Sequence, residues 1–276
     1  MDRIRLIASD MDATLLDEQS QLPADFEETI HALAELGIWF APASGRPLYT
    51  LEAMFPTLQD ELVFIGDNGG AIRWKGQNLF TSEMSPEGWR ALNRLTREQG
   101  DIAVLCGLES AYVERPFAVH DAVLRHFYTK IEYVDRLEDV TAPADKFTIY
   151  LPQHNAQQAY DTVYASQRSI YSVAVAGECW VDIMNPGVHK GAALQTLGQL
   201  WGLPSESIMA FGDTYNDAEM LQTVRYGFLM ENGSEPLRRN VPFLAPFNRE
   251  AGVMQVLHRV LAQNGCVCPE DFIPAH

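Results

Sequence analysis

Long apolar runs, patterned cysteines and clustered positive charge are all scarce in this chain, and each scarcity argues against a class of function. No apolar stretch among the 276 residues approaches the ~20 needed to cross a bilayer. The opening MDRIRLIASD meets acidic residues where a signal peptide would continue its apolar segment, so the expected location is the cytoplasm. Cysteine occurs four times, at Cys106, Cys179, Cys266 and Cys268, with no C-x-x-C pair and no histidine at zinc-ligand spacing. These read as buried or tail thiols, which argues against a disulfide framework. Lys and Arg together number 20 against 37 Asp and Glu, a formal net charge of −17 without any long basic run. That balance disfavours nucleic acid or an anionic membrane as the main partner. An anionic small substrate would need a metal ion or a few focused cations.

A 47% hydrophobic and 21% charged composition supplies a core for one elaborated domain or two smaller ones. RIRLIASD reads as a buried strand, PADFEETIHALAELG as a helix opened by Pro23 and stopped by Gly37, and IWFAPASG as the next strand. This βαβ unit implies a parallel sheet flanked by helices. PLYTLEAMF follows as a helix, then ELVFIGDNGGAIRW as two strands about a turn at Asn68, Gly69 and Gly70. Residues 83–184 change texture: the helical patterns SPEGWRALNRLTREQG and NAQQAYDTVYASQ alternate with the strand-like IAVLCG, KFTIYLP, YSVAVAG and CWVDIM. After Pro186 the first pattern returns through HKGAALQTLGQLWG, SIMAFGD, NDAEMLQTV, YGFLM and REAGVMQVLHRVLAQ. The expectation is an α/β fold, a Rossmann-like doubly wound parallel-sheet core of residues 1–82 and 185–276 with an inserted α/β domain at 83–184. The tail GCVCPEDFIPAH, with Cys266 and Cys268, carries no pattern.

Ligands of open parallel sheets bind beyond the carboxyl ends of the strands, so the polar residues that follow each predicted strand are the candidates. The first strand delivers Asp10, Asp12 and Thr14; the second delivers Ser44, Gly45 and Arg46; SIMAFG delivers Asp213, Thr214, Asn216 and Asp217. Lys190 stands at a helix start, where backbone N–H groups favour an anion. Two carboxylates at i and i+2 of a regular strand would converge and repel. A cation between them, a proton on one, or a bend in the chain would relieve this. For a phosphate ester each part has a use. Asp10, Asp12 and Asp213 form a hard-oxygen site for Mg²⁺, one carboxylate attacks phosphorus, a second moves protons, and Ser44 with Lys190 binds the equatorial oxygens. His120, His126 and His189 are isolated and receive no role.

DMDATLL, ASGRP, HKG and GDTYND, in this order and with an insertion between the second and third, resemble the four motifs of the haloacid dehalogenase superfamily. The position and α/β texture of the insertion resemble its Cof-type, subclass IIB sugar-phosphatase branch, in which such an insertion is a C2B-type cap. The resemblance spans nearly the whole chain, DNGG and NREAGV included. It implies an Mg²⁺-dependent phosphatase acting on a small phosphorylated metabolite, a sugar or cofactor phosphate, through an aspartyl phosphate. It implies Asp10 as nucleophile and metal ligand, and Asp12 as general acid/base whose backbone carbonyl also binds the metal. Ser44 and Lys190 would bind phosphate, Asp213 would complete the metal site, and Asn216 and Asp217 would orient it from behind. Thr14 would fix the loop, which turns sharply in the family. Asn68 is first of all a turn former and is carried as a candidate substrate contact. Lys146, on the strand-like KFTIYL of the insertion, is a candidate contact for an anionic or sugar group.

One position departs from the pattern: Ala13 stands where the family usually has Gly. If positive φ is needed there, the methyl costs roughly 1 kcal/mol or more; if close approach is needed, it crowds the site. Two alternatives stand beside the phosphatase, the first motivated by Ala13 and the second by the acidic pair with its hydroxyl and lysine. One is a binding or regulatory protein on the same fold with reduced turnover. The other is a receiver-like phospho-acceptor, although receivers carry the phosphorylated Asp on a later strand in a chain of about half this length.

Overall fold

The structure is a computed structural model that describes residues 1–276. It divides into two compact units, the first formed by Met1–Gly45, Phe55–Leu79 and His189–His276, the second by Arg46–Met54 and Phe80–Val188. The helix Leu48–Ala53 groups with the second unit because Thr50 Oγ1 accepts the Thr129 backbone N–H at 3.0 Å.

A nine-stranded sheet runs through the first unit, in the order Ile273–Pro274, Phe243–Ala245, Tyr226–Met230, Ile208–Gly212, Leu6–Asp10, Trp39–Ala43, Val63–Gly66, Ala71–Trp74 and Gln77–Thr81, the last of which ends in Phe80 and Thr81 of the second unit. The pairs from Phe243–Ala245 across to Val63–Gly66 are parallel. Antiparallel pairing begins where Ala71–Trp74 and Ile273–Pro274 join on either side. The doubly wound arrangement is the one expected, and its cause is visible in the strands. Leu6–Asp10 is buried at all five positions, as a parallel strand covered on both faces must be. Burying Leu6 and Ile7 contributes roughly 1.5–3 kcal/mol each. From this central strand the chain winds outward through Trp39–Ala43 and Val63–Gly66, then returns on the other side through Ile208–Gly212 and Tyr226–Met230. The first strand therefore sits at the switch point, where open α/β sheets leave a crevice.

The helix Phe26–Glu35 buries Phe26, Thr29, Ile30 and Leu33, one stripe at i, i+3, i+4 and i+7, and packs on the helix Gly252–Ala262. It opens at Phe26, not at Pro23: Pro23 to Asp25 form a turn in which the Phe26 N–H reaches the Pro23 carbonyl. The helix Lys190–Trp201 ends at Gly202 in a left-handed C-cap. It packs against the short helix Ala218–Gln222. The tail, unpatterned in sequence, forms a separate two-stranded sheet and adds a strand at one edge of the large one. Cys266–Val267 pairs with Asp2–Arg3, and Ile273–Pro274 pairs with Phe243–Ala245. Cys106, Cys179, Cys266 and Cys268 form no disulfide, and no helix is long and apolar enough to cross a membrane.

The second unit holds a six-stranded sheet in the order Ser172–Val175, Trp180–Met184, Ala144–Tyr150, Ile102–Gly107, Ala111–Glu114 and Ile131–Val134. All its pairs are antiparallel except the last. The helix Pro86–Gln99 is capped by Ser85, whose Oγ accepts the Gly88 N–H at 3.1 Å, and stopped by left-handed Gly100. It packs with Phe147 and Ile149 of the central strand. Alternation sends Lys146, Thr148 and Tyr150 to the other face, where Tyr150 joins Val104, Cys106 and Tyr128.

Candidate active site

Three short segments of the first unit meet at the end of the first strand. Asp10 closes that strand and is 7% exposed. Lys190 opens its helix and is fully buried. Its ammonium donates to Asp10 Oδ1 and, at 2.7 Å, to Asp217 Oδ1. Asp217 spends its other oxygen on the backbone: Oδ2 accepts the N–H groups of Asp213 at 3.0 Å and Thr214 at 3.2 Å. Asp217 thus joins the lysine to the turn that presents Asp213. Two glycines permit this closeness. A Cβ on Gly212 would lie 2.4 Å from Asp217 Cβ, and one on Gly191 would lie 2.7 Å from the Glu219 carbonyl carbon.

The carboxylates of Asp10, Asp213 and Asp217 bring ligand oxygens within 4.8 Å of one another. Burial pushes the Asp10 carboxyl up to about 7; Lys190 opposes the shift, while Asp217 and Asp213 add to it. Asp213 is likewise pushed up to about 6 by burial, then by the Asp217 carboxylate. Burial also disfavours the Lys190 ammonium, yet Asp10 and Asp217 outweigh it and hold that amine above its ordinary range. Three carboxylates against one ammonium leave an excess of negative charge that a divalent cation would offset. The donors are hard oxygens, which suits Mg²⁺, so the residues present fit the implied metal.

Other expected site residues fall as follows. Asp12 is exposed and stands outside that carboxylate group. The chain does bend between the two aspartates. Asp12 is extended, Ala13 has φ 60° and ψ 9°, and the Leu16 N–H closes a wide turn on the Met11 carbonyl. A regular i, i+2 strand pair is therefore not what these residues form, and the left-handed alternative for Ala13 is the one realised. Thr14 is 1% exposed, and its Oγ1 has no hydrogen-bond partner in the protein. Ser44 is buried; its N–H donates to the Ile65 carbonyl and its own carbonyl accepts the Asn68 N–H, both at 2.9 Å. Asn68 is itself left-handed at φ 54°, with its side-chain amide against Gly45. Asn216 is exposed, and Arg46 belongs to the second unit. Lys146, 2% exposed in the second unit, faces Asp182 at 3.8 Å, and Asp182 Oδ1 accepts the Thr148 hydroxyl at 2.7 Å.

Two asparagines received no role from the sequence, although Asn248 opens NREAGV. Asn232 Nδ2 donates to the Ala13 carbonyl at 2.7 Å, and Asn248 Nδ2 donates to the Leu16 carbonyl at 2.9 Å. The Asn248 backbone N–H donates to Asn232 Oδ1 at 3.0 Å, which joins them. A signal for Asn232 existed. It follows the parallel strand Tyr226–Met230, so the rule that collected Asp10, Ser44 and Asp213 collects it too.

A family profile described as haloacid dehalogenase-like hydrolase matches residues 7–257. The chain belongs to this family. Among its relatives is the 5-amino-6-(5-phospho-D-ribitylamino)uracil phosphatase of Escherichia coli, 31% identical over 94% of this chain and 96% of that protein. Another is the HMP-PP phosphatase of Cronobacter sakazakii, 31% identical over 87% of this chain and 89% of that one. A solved structure from Streptococcus mutans superposes with a TM-score of 0.82 at 28% identity, covering 94% of this chain and 99% of its own. A haloacid dehalogenase-like hydrolase from Bacteroides thetaiotaomicron shares the fold with a TM-score of 0.81 at 22% identity, covering 94% and 100%. As a Cof-type haloacid dehalogenase-like hydrolase the protein is a phosphatase, and the receiver reading gives way to this match.

Proposed function

We propose that the protein hydrolyses a small phosphorylated metabolite, a sugar or cofactor phosphate, through an aspartyl phosphate on Asp10. The observation that carries the reading is the buried triad in which Lys190 binds Asp10 and Asp217 while Asp213 stands within reach of both. The Asp10 carboxylate attacks phosphorus, and the bond to the leaving oxygen breaks as Asp12 supplies its proton. Water then attacks the phosphoryl group, Asp12 takes the proton, and Asp10 is released as a carboxylate. Exposed Asp12 suits a group that exchanges protons with water and leaving group, whereas buried Asp10 suits one that must be held. Lys190 fixes the nucleophile, and the unpartnered Thr14 hydroxyl is a donor left for a bound oxygen. Asp10 and Asp213, with the Asp12 backbone carbonyl, would hold Mg²⁺, which supplies charge neutralisation to the phosphoryl oxygens. Residues 83–184 are assigned the choice of leaving group, because the four motifs are committed to the phosphate. The relatives' names, a 5-amino-6-(5-phospho-D-ribitylamino)uracil phosphatase and an HMP-PP phosphatase, support a small phosphorylated metabolite as the substrate class.

The test separates the two aspartates. Asp10→Asn removes turnover of p-nitrophenyl phosphate, since an amide does not attack phosphorus. Asp12→Ala still completes the first step, because p-nitrophenolate leaves without a proton, but loses a general base worth about 10²–10⁴-fold in the second. Intact-mass analysis of rapidly quenched Asp12→Ala then shows one added phosphoryl group on Asp10. A label on another residue, or unimpaired variants, would overturn the assignment. A panel of phosphorylated sugars and cofactors, with and without Mg²⁺, then ranks the substrates.

A further inference from the structure

Alanine at position 13 sets a problem that the surrounding chain must solve. A Cβ disfavours φ near 60°, where Ala13 nonetheless sits. Ala13 follows Asp12 within the turn Met11–Leu16, so relaxation of that turn would move Asp12 relative to Asp10. The hydrogen bond from Leu16 to Met11 closes the turn but does not grip the Ala13 peptide. That grip comes from the segment after the strand Tyr226–Met230. Asn232 holds the Ala13 carbonyl from 219 residues away. Its other amide atom is held by the Asn248 N–H, and buried Asn248 holds the Leu16 carbonyl at the far side of the same turn. Two residues on, the Ser234 N–H donates at 2.7 Å to the carbonyl of Asp213. One turn thus holds both aspartate-bearing loops.

We propose that Asn232 is a positioning residue that keeps Ala13 left-handed and thereby sets Asp12 relative to Asp10, and that this chain depends on it because position 13 is alanine. Glycine reaches the same backbone region without penalty, so it would stand there with less help. Asn232 touches neither phosphate nor metal in this assignment. The activity arm of the test rests on the roles given above to Asp10 and Asp12; the exchange arm does not.

The experiment compares wild type, Asn232→Ala, Asn232→Asp, Ala13→Gly and Ala13→Gly/Asn232→Ala. The Asp variant keeps an acceptor for Asn248 but donates nothing to Ala13. Hydrogen–deuterium exchange of a peptide spanning residues 11–16 reads the turn directly. Both Asn232 variants should raise exchange there by about tenfold, and the increment due to Asn232→Ala should shrink to about threefold or less in the glycine background. With p-nitrophenyl phosphate and Mg²⁺, Asn232→Ala should lower kcat by roughly 10- to 100-fold with KM within about threefold, the size of effect that misplacement of a reacting group by about an ångström produces. In the glycine background the same change should cost about threefold or less. Equal losses in both backgrounds, or an Asn232→Asp variant that behaves as wild type, would overturn the proposal. If wild type releases no phosphate, the proposed mechanism fails while the exchange arm still decides this inference.

Discussion

Each of the two units buries a lysine, and the two lysines have different surroundings. Lys190 sits among three carboxylates, bonded to Asp10 and Asp217 with Asp213 adjacent. Lys146 faces Asp182 at 3.8 Å, and Asp182 in turn receives the Thr148 hydroxyl. Both ammonium groups are almost fully removed from solvent, at 0% and 2% exposure, so burial does not distinguish them. Charge balance does. Around Lys190 the carboxylates outnumber the ammonium, and such an excess of negative charge is a site for a cation.

The contrast can be broken by experiment. The largest effect is expected from Lys190→Met, which leaves the carboxylates without their ammonium. Turnover of p-nitrophenyl phosphate should fall by about 10³-fold or more, and stability by about 3–5 kcal/mol in urea unfolding, as for a buried ion pair stripped of one partner. Lys146→Met should cost a comparable 3–5 kcal/mol but lower that turnover by less than about tenfold. Equal kinetic losses in the two variants would erase the distinction. Next in size is the metal itself. Excess EDTA should abolish turnover, and Mg²⁺ at about 100 times its Kd should add about 2.7 kcal/mol to stability. Asp213→Asn should remove that stabilisation and Asp182→Asn should leave it; the reverse pattern, read by thermal melts, would place the cation in the other unit. The smallest effect is that of Ala13→Gly. It removes the left-handed penalty of about 1 kcal/mol and should keep or raise kcat/KM; a loss beyond tenfold would show a loop adapted to alanine.

Much of the candidate site was legible because the polar residues proposed for it follow strand ends. Asp10, Ser44 and Asp213 each come immediately or almost immediately after an apolar run, and a parallel sheet must bring such ends to one edge. Lys190 was legible as the first residue of a helix. The fold was legible where burial on both faces leaves an unbroken apolar string, as in LIASD and IMAFG. It was least legible in short edge strands such as Gln77–Thr81, with its exposed and half-buried residues, and Ile273–Pro274. There the pairing partner, not the local pattern, makes the strand.

The sequence by itself determined the α/β class, the chemical types that follow its strands and the family, because these depend on local apolar periodicity and on spacing within short motifs. It did not determine which carboxylate faces which group. Asp217 proves to be a clamp between Lys190 and the Asp213 turn, Lys146 proves to be paired within its own unit, and Asn232 and Asn248 prove to hold the turn around Ala13. Only the tertiary structure could decide these points. The bonds concerned join residues up to 232 positions apart, and whether two such groups meet depends on the winding of the whole sheet and not on any stretch of chain between them.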